Sequence, residues 1–205
     1  MRIETCLALK QEKRRAMPAD SLVSDPIGSM THAVTIHSPP ESVWPWLAQM
    51  GGGRAGWYSY DRIDNGGRPS AESILSEYQQ IAPGDVLPAI PGVTDAFRVA
   101  EVEVPRHLVL TVPDASGGIQ VSWEFLLQPV DQGSTRLIVR ARMSPDWPAP
   151  TQARPASSRG PVLIERIYGV LVRTPKPLML APAGFGHYLM ESRMLRGIKR
   201  RAEKL

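Results

Sequence analysis

Apolar and polar residues alternate most regularly along two neighbouring segments, 119–127 and 137–143. In each segment every second residue is apolar and most residues between are polar, which is the pattern of a strand with one buried face. The sequence Asp131-Gln132-Gly133 supplies a turn between them. The pattern therefore predicts two antiparallel strands that share one apolar face and expose the other face to water.

Three other segments extend this sheet. Residues 31–37 alternate in the same way, and residues 107–112 form a short apolar run. Residues 97–104 alternate in two phases, because the apolar positions change from odd to even numbers along the segment. A change of phase within one strand indicates a β-bulge, which bends a sheet. We therefore expect a curved antiparallel sheet.

A short helix is predicted after the first strand. Ser38 and Glu41 have the spacing of a capping box, and Pro45 removes an amide hydrogen from the helix interior. Three consecutive glycines at 51–53 end the helix. We therefore expect a short or kinked helix over 38–50 that runs into a glycine hinge, the name used below for residues 51–53.

The last part of the chain places apolar residues at helical spacing between many Arg and Lys residues. This pattern predicts an amphipathic helix of about twenty residues with one apolar stripe. A one-sided sheet must bury its apolar face, and no other predicted helix is long enough to cover it. We therefore expect the sheet to curve around this helix and to leave a space between them near the glycine hinge.

The length of 205 residues suits one domain with a sizeable core. We expect residues 1–29 to be an N-terminal extension and residues 30–205 to be the domain, with a proline-rich loop or insertion at 144–177. The net charge of +4 comes from the ends, because residues 1–15 carry +3 and residues 191–205 carry +4. The body of the chain therefore lacks the basic face that nucleic-acid binding needs.

Cys6 is the only cysteine, so the chain forms no internal disulfide, which fits a cytoplasmic protein. No run approaches the roughly 20 apolar residues that span a bilayer. The basic residues of the last helix could touch anionic lipid, but the same pattern is typical of the solvent side of a packed helix. We predict a cytoplasmic monomer or homodimer with a hydrophobic small molecule as its partner, no nucleic acid and no integral membrane segment, and we favour the packed helix over peripheral membrane contact.

Directly after the glycine hinge, aromatic and ionisable side chains are concentrated between residues 54 and 65. They are Arg54, Trp57, Tyr58, Tyr60, Asp61, Arg62, Asp64 and Asn65. The aromatic residues either line a ligand pocket or fill the core beneath the helix. Arg54 and Asp61 either hold a polar group of a ligand or pair with each other and fix the loop, and we favour the ion pair. This segment is the first candidate for a functional site.

The four histidines are scattered, and no two of them have the i, i+4 spacing of a metal site. We therefore predict no bound metal and no cofactor. His187 and Glu191 lie one turn apart on the predicted last helix. They either form an acid–base pair that faces a cavity or lie on the surface, and we favour the surface.

Four local motifs together resemble one large superfamily. They are SPPESVWPWLAQM, GRAGWYSYDRIDN, IAPGDVLP and YLMESRMLRGIKRRAE, and the resemblance covers residues 30–143 and 183–203. They resemble an uncharacterised bacterial branch of the helix-grip superfamily (SRPBCC) of START lipid-transfer domains, birch-pollen-allergen-like proteins and polyketide cyclases. The resemblance implies an α+β fold in which a curved antiparallel sheet wraps around a long C-terminal helix and encloses a hydrophobic cavity. It implies no single chemistry, because carriers, sensors, cyclases and oxygenase subunits share the fold.

Three functions remain open at this point. The first, which we favour, is binding of a hydrophobic or aromatic small molecule, lipid or polyketide-like, in an internal cavity. The second is a cyclase- or dehydratase-like enzyme that uses Tyr58, Tyr60 or Asp61 as general acid or base. The third is an interaction or stress module with a filled core. The candidate ligand-binding residues are Arg54, Trp57, Tyr58, Tyr60, Asp61, Trp44, Trp123, Phe125 and His187.

Overall fold

Six antiparallel strands form one sheet in the order β1-β6-β5-β4-β3-β2. The computed structural model describes residues 5–91, 96–114, 116–147 and 176–204, with only the main chain described for 176–183. The strands are β1 (Gly28–Ile36), β2 (Val86–Pro88), β3 (Ala96–Glu103), β4 (His107–Pro113), β5 (Ile119–Asp131) and β6 (Ser134–Met143). All neighbouring pairs are antiparallel, so the sheet predicted from the alternation is confirmed.

One long helix packs against the sheet. The helices are α1 (Lys10–Arg14), α2 (Pro40–Ala48), α3 (Asp61–Asp64) and α4 (Lys176–Ala202), with 3-10 turns at Pro18–Val23 and Ser76–Tyr78. α4 has 27 residues and packs against β1 and α2. A curved sheet that grips a long helix is the predicted α+β helix-grip fold, which is confirmed. Within the described residues, no helix combines the length and the apolar character needed to cross a bilayer.

The pairing of β3 with β4 changes register between Val99 and Glu101. The change of apolar phase along the sequence predicted a bulge in this strand, and the prediction is confirmed. A bulge adds one residue to one strand and increases the local twist. This irregularity therefore suits a sheet that curves around a helix.

The inner face of the sheet and two helices form the main core. The cross-strand partners Leu108 and Phe125 lie on this face, and both are fully buried. Leu47 of α2 and Leu195 of α4 close the core from the other side and are also fully buried. Full burial of such a side chain stabilises the fold by about 1.5–3 kcal/mol, so this packing holds the helices against the sheet.

The outer face of β5 and β6 is covered, although the alternation predicted that it lies in water. Residues 5–23 run beside it and bury Arg140, whose guanidinium donates to Glu12 O and to Asp20 Oδ2, each at 2.7 Å. Glu124, the cross-strand partner of Arg140, is only 1% exposed. The prediction of a wet face is wrong because polar alternation cannot distinguish water from a polar segment of the same chain.

The predicted capping box at the start of α2 is also wrong. The residue that precedes the helix is Pro39, and no side chain caps the helix there. The Ser38 hydroxyl instead lies 2.9 Å from the carbonyl oxygen of Ala202 at the end of α4. Ser38 therefore ties the connection between β1 and α2 to the last helix.

The described part of the chain leaves out most of the proline-rich segment predicted at 144–177, because residues 148–175 lie outside it. The first residues of that segment, 144–147, follow β6 without regular secondary structure. Trp147, at the end of this stretch, reaches the cavity described next.

Candidate functional site

A cavity of about 520 Å³ lies between the inner face of the sheet and α4. This volume falls within the roughly 300–1,000 Å³ that is usual for small-molecule sites. Most of the described lining residues are apolar, and no Lys or Arg is among them. The larger apolar ones include Met30, Trp57, Phe97, Val121, Trp123, Met190 and Met194, and the polar ones are Ser59, Asp64, His187 and Glu191.

Trp57, Phe97 and Trp123 form an aromatic wall of this cavity. The ring centroids of Trp57 and Phe97 are 5.4 Å apart, those of Trp57 and Trp123 are 5.7 Å apart, and those of Phe97 and Trp123 are 5.3 Å apart. The indole N–H of Trp57 donates to Ala89 O at 2.9 Å, which fixes the orientation of that ring. A rigid aromatic wall offers a large contact area to a ring or an alkyl chain.

Asp64, at the end of α3, lines the cavity and is 5% exposed. Among the described residues, neither of its carboxylate oxygens has a hydrogen-bond partner of normal geometry. The neighbouring Ser59 hydroxyl donates its one hydrogen to Met190 O at 3.0 Å instead. Burial raises the pKa of the Asp64 carboxyl, the nearby Ser59 hydroxyl and the main chain at residues 60 and 64 offset part of this rise, and the Asp61 carboxylate adds to it. A buried carboxyl that lacks well-aligned donors is costly, so Asp64 is a candidate to receive a polar group of a ligand.

Glu191 of α4 is the centre of a buried polar cluster at the cavity. Its Oε1 accepts a hydrogen bond from the indole N–H of Trp123 at 2.8 Å, while its Oε2 contacts His32 Nδ1 and lies 3.2 Å from His187 Nε2. Burial alone would raise the pKa of Glu191, but the close approach and the charges of the two histidines hold it at about 2. Burial alone would likewise lower the pKa of His187, and the Glu191 carboxylate raises it instead. The surface position favoured for His187 and Glu191 is wrong, because both line the cavity.

The same cluster contains the ligand types of a metal site. One ligand atom each from His32, His187 and Glu191 lies within 4.8 Å of the other two. The histidine spacing along the chain did not reveal this group, because one histidine is on β1 and the other two side chains are on α4. Among the described residues, His32, His187 and Glu191 are the group that could bind a metal ion.

Of the nine candidate ligand-binding residues of the sequence analysis, three line the cavity, three are buried in the core away from it, and three (Tyr60, Arg54 and Asp61) do neither. Those that line the cavity are Trp57, Trp123 and His187. Those buried in the core without lining it are Trp44, Tyr58 and Phe125. Tyr60 is 40% exposed and stacks under the Arg193 guanidinium, 5.2 Å from its ring centroid. The roles of all these residues in ligand binding stay predictions.

Arg54 and Asp61 do not form the ion pair that we favoured. The Arg54 guanidinium donates to Ala48 O at 2.9 Å and to Tyr78 O at 3.3 Å, and Asp61 accepts a hydrogen bond from the Ser70 hydroxyl at 2.5 Å. The ion-pair prediction is wrong because the turn at the glycine hinge directs Arg54 back toward the end of α2, while Asp61 starts α3. Neither side chain lines the cavity.

Several lining residues were missed, and some of them had a usable signal. Phe97 shares the alternation phase of buried Val99, which was enough to place it on the inner face of β3. Met194 follows Glu191 by three positions on a helix, so the two share one side of α4. Asp64 belongs to the segment predicted as the first candidate site, but it was not chosen as a ligand-binding residue, because a helix of one turn has no periodicity that could orient its side chain.

No protein-family model matches the sequence, and no curated protein matches it. Among solved structures, a protein from Mesorhizobium loti is 15% identical at a TM-score of 0.46, over 86% of this chain and 98% of that one. An aromatase/cyclase from a Streptomyces species is 17% identical at a TM-score of 0.39, over 86% of this chain and 94% of that one. An HSP90 activator from Plasmodium falciparum is 15% identical at a TM-score of 0.38, over 76% of this chain and 96% of that one.

These similarities concern the fold and carry no information about a ligand or an activity. The fold itself is clear from the strand order and from the long helix that the sheet encloses. On this architecture, the chain adopts a helix-grip fold.

Proposed function

We propose that this protein binds a hydrophobic or aromatic small molecule in the cavity between the sheet and α4. The observation that carries the proposal is an apolar cavity of about 520 Å³ lined by the buried carboxyl of Asp64, whose oxygens have no well-aligned hydrogen-bond donor among the described residues. An open cavity with inward polar groups also argues against the alternative of an interaction module with a filled core. The aromatic wall would contact the apolar part of the ligand, and Asp64 would receive a hydrogen-bond donor.

The size of the apolar surface sets a limit on the affinity. Removing about 300 Å² of apolar ligand surface from water yields on the order of 7 kcal/mol at about 25 cal/mol per Å². The loss of translational and rotational freedom opposes this gain by several kcal/mol. Apolar contact of this size alone therefore gives binding weaker than about 10 μM, and we expect tighter binding for a ligand that buries more surface or also satisfies Asp64.

The test uses N-phenyl-naphthylamine, a neutral dye that fluoresces strongly only in apolar surroundings. We expect saturable binding to the full chain, with energy transfer from the tryptophans that line the cavity. Val121→Phe places a larger side chain at a half-buried lining position of β5. This substitution should lower the affinity about tenfold or more, equivalent to a loss of about 1.4 kcal/mol or more in binding free energy.

Val86→Phe is the matched control, because Val86 lies on edge strand β2, is 51% exposed and does not line the cavity. It should leave the affinity for the dye unchanged. Equal affinity of both variants for the dye would contradict binding in this cavity. Native mass spectrometry of the freshly purified protein would then identify a co-purifying natural ligand, if one is retained.

The raised pKa of Asp64 favours a second candidate, a dehydratase-like enzyme that acts in the same cavity. A raised pKa keeps a carboxyl protonated to a higher pH, which favours a role as general acid. For a β-hydroxyketone, Asp64 would protonate the departing hydroxyl, which leaves as water, and the resulting carboxylate would take up the α-proton. The product is a conjugated enone, and Asp64 is protonated again.

This candidate is tested by following the ultraviolet absorption of the enone formed from an aromatic β-hydroxyketone. We expect Asp64→Asn to abolish the reaction while the affinity for N-phenyl-naphthylamine persists. If wild type and Asp64→Asn form the enone at the same rate as buffer, the protein is a binder of such compounds and not their dehydratase.

A further inference from the structure

Two elements far apart in the chain bring three metal-binding side chains together at the cavity. His32 comes from β1, whereas His187 and Glu191 are one turn apart on α4. One ligand atom from each lies within 4.8 Å of the others, and His187 Nε2 is 3.2 Å from Glu191 Oε2. A His and a Glu at i and i+4 on one helix face can bind the same ion without any change of the main chain.

The surroundings of Glu191 resemble those of a ligating carboxylate. Glu191 is 2% exposed, and its second oxygen, Oε1, is held by the Trp123 indole N–H at 2.8 Å. Carboxylates and histidines that bind metals are usually oriented by an outer hydrogen bond of this kind. Trp123 therefore orients one oxygen and leaves the other, Oε2, directed at the two histidines.

The hydrogen bonding of the cluster is incomplete without a further partner. His187 Nε2 lies close to Glu191 Oε2, but the angle between the imidazole and the carboxylate is not that of a normal hydrogen bond. This buried nitrogen has no other hydrogen-bond partner among the described residues. Both histidines also approach the same carboxylate oxygen. A cation between the three groups would be bound by all of them at once.

We propose that His32, His187 and Glu191 bind a divalent transition-metal ion, with its remaining coordination positions open to the cavity. Two imidazole nitrogens and one carboxylate oxygen suit Zn²⁺, Fe²⁺ or Co²⁺ better than Mg²⁺ or Ca²⁺, which prefer oxygen ligands. Three protein ligands leave room for water or for an oxygen atom of a bound small molecule. This inference does not depend on the proposed function, because the cluster is present whether or not the cavity takes up an organic ligand.

The test titrates Co²⁺ and Zn²⁺ into tag-free protein that has been stripped with a chelator and dialysed. We expect saturable binding of about one ion per chain and, for Co²⁺, a visible absorption band typical of a site with nitrogen ligands. His187→Ala and Glu191→Gln should each weaken binding about 100-fold or more, because each removes a direct ligand. Trp123→Phe should weaken it about tenfold, in the range seen for outer hydrogen-bond partners.

His37→Ala is the matched control, because His37 is exposed and lies outside the cluster. It should bind Co²⁺ as the wild type does. Circular dichroism and a melting curve establish that each variant is folded, and His187→Ala is the most tolerant of them because the His187 side chain is 27% exposed. Absence of saturable binding to the wild type, or equal binding by His187→Ala and His37→Ala, would overturn the inference.

The two proposals fail separately. A chain that binds N-phenyl-naphthylamine but neither metal ion refutes the metal site and leaves the proposed function standing. A chain that binds a metal ion but not the dye refutes the proposed function and leaves the metal site standing.

Discussion

Gly197 of α4 lies directly against the main chain of Tyr58. A Cβ built on Gly197 would stand 2.8 Å from the Tyr58 Cβ and even closer to the Tyr58 carbonyl oxygen. Tyr58 itself has a φ of +57°, a value that residues other than glycine rarely adopt. The helix and the aromatic segment can therefore approach this closely only because the helix has no side chain at residue 197.

We expect Gly197→Ala to destabilise the protein by about 1–3 kcal/mol, because the added methyl group meets main-chain atoms that cannot rotate away. Urea unfolding would measure the change in the free energy of unfolding. Gly186→Ala is the control on the same helix, since nothing lies within 4 Å of a Cβ there. It should be neutral or stabilising by up to about 1 kcal/mol, and a comparable loss of stability in both variants would contradict the close contact.

Tyr58 is expected to stabilise the core and not to act as a catalytic acid. Its hydroxyl donates to Trp46 O at 3.1 Å and accepts from Gln49 Nε2 at 3.0 Å, and burial raises its pKa beyond the range of a useful acid. Tyr58→Phe should lower the free energy of unfolding by about 1–2 kcal/mol, since two buried hydrogen bonds are lost. The affinity for N-phenyl-naphthylamine should not change.

Tyr60→Phe serves as the reference for this experiment. Tyr60 is 40% exposed and keeps its ring beneath Arg193 after the substitution. Its effect on stability should stay within about 0.5 kcal/mol. A large loss of dye affinity in Tyr58→Phe alone would restore Tyr58 as a ligand-binding residue.

Asp64 should make the stability of the protein depend on pH in a defined direction. Its folded-state pKa is raised, so ionising the carboxyl costs more in the folded chain than in the unfolded chain. The penalty is absent below the ordinary pKa of aspartate, grows as the pH rises toward the folded-state pKa, and is constant above it. Asp64→Asn removes the charge and should therefore raise the free energy of unfolding at neutral pH relative to the wild type.

The measurement is urea unfolding of wild type and Asp64→Asn across a series of pH values. The difference between the two should increase from acid toward neutral pH and then level off. Both proteins contain the other titratable groups near residue 64, namely Asp61 on the same turn and His187 and Glu191 across the cavity. The titration of these groups therefore largely cancels when the two free energies of unfolding are subtracted. A difference that is constant with pH, or that shrinks as the pH rises, would contradict the assignment of a raised pKa.

The sequence was most informative where one periodic pattern determines one element. The alternation along β5 and β6 placed Trp123 and Phe125 on the inner face, and the change of phase along β3 located a bulge. These features follow from the backbone period of two residues and need no knowledge of distant contacts. The long amphipathic helix followed in the same way from its period of 3.6 residues.

Polar residues could not be placed from the sequence, because their partners come from elsewhere in the fold. Arg140 is paired with the N-terminal segment, and Arg54 is paired with main-chain carbonyls. Glu191 acquires its role only when α4 meets β1 and brings His32 to it. A polar side chain is satisfied by whichever donor or acceptor the tertiary structure supplies, and no local pattern specifies that choice.

The position of α4 at the end of the described chain has a consequence for synthesis of the protein on the ribosome. α4 follows all six strands, so the sheet is synthesised completely while the helix that it grips is still missing. At about 5–20 residues per second, translation from the end of β6 to the end of α4 takes several seconds. During this interval the apolar surface around Trp123, Phe125 and Leu127 lacks the part of its cover that α4 supplies, so nascent chains should depend on chaperones that shield such surfaces until the helix emerges.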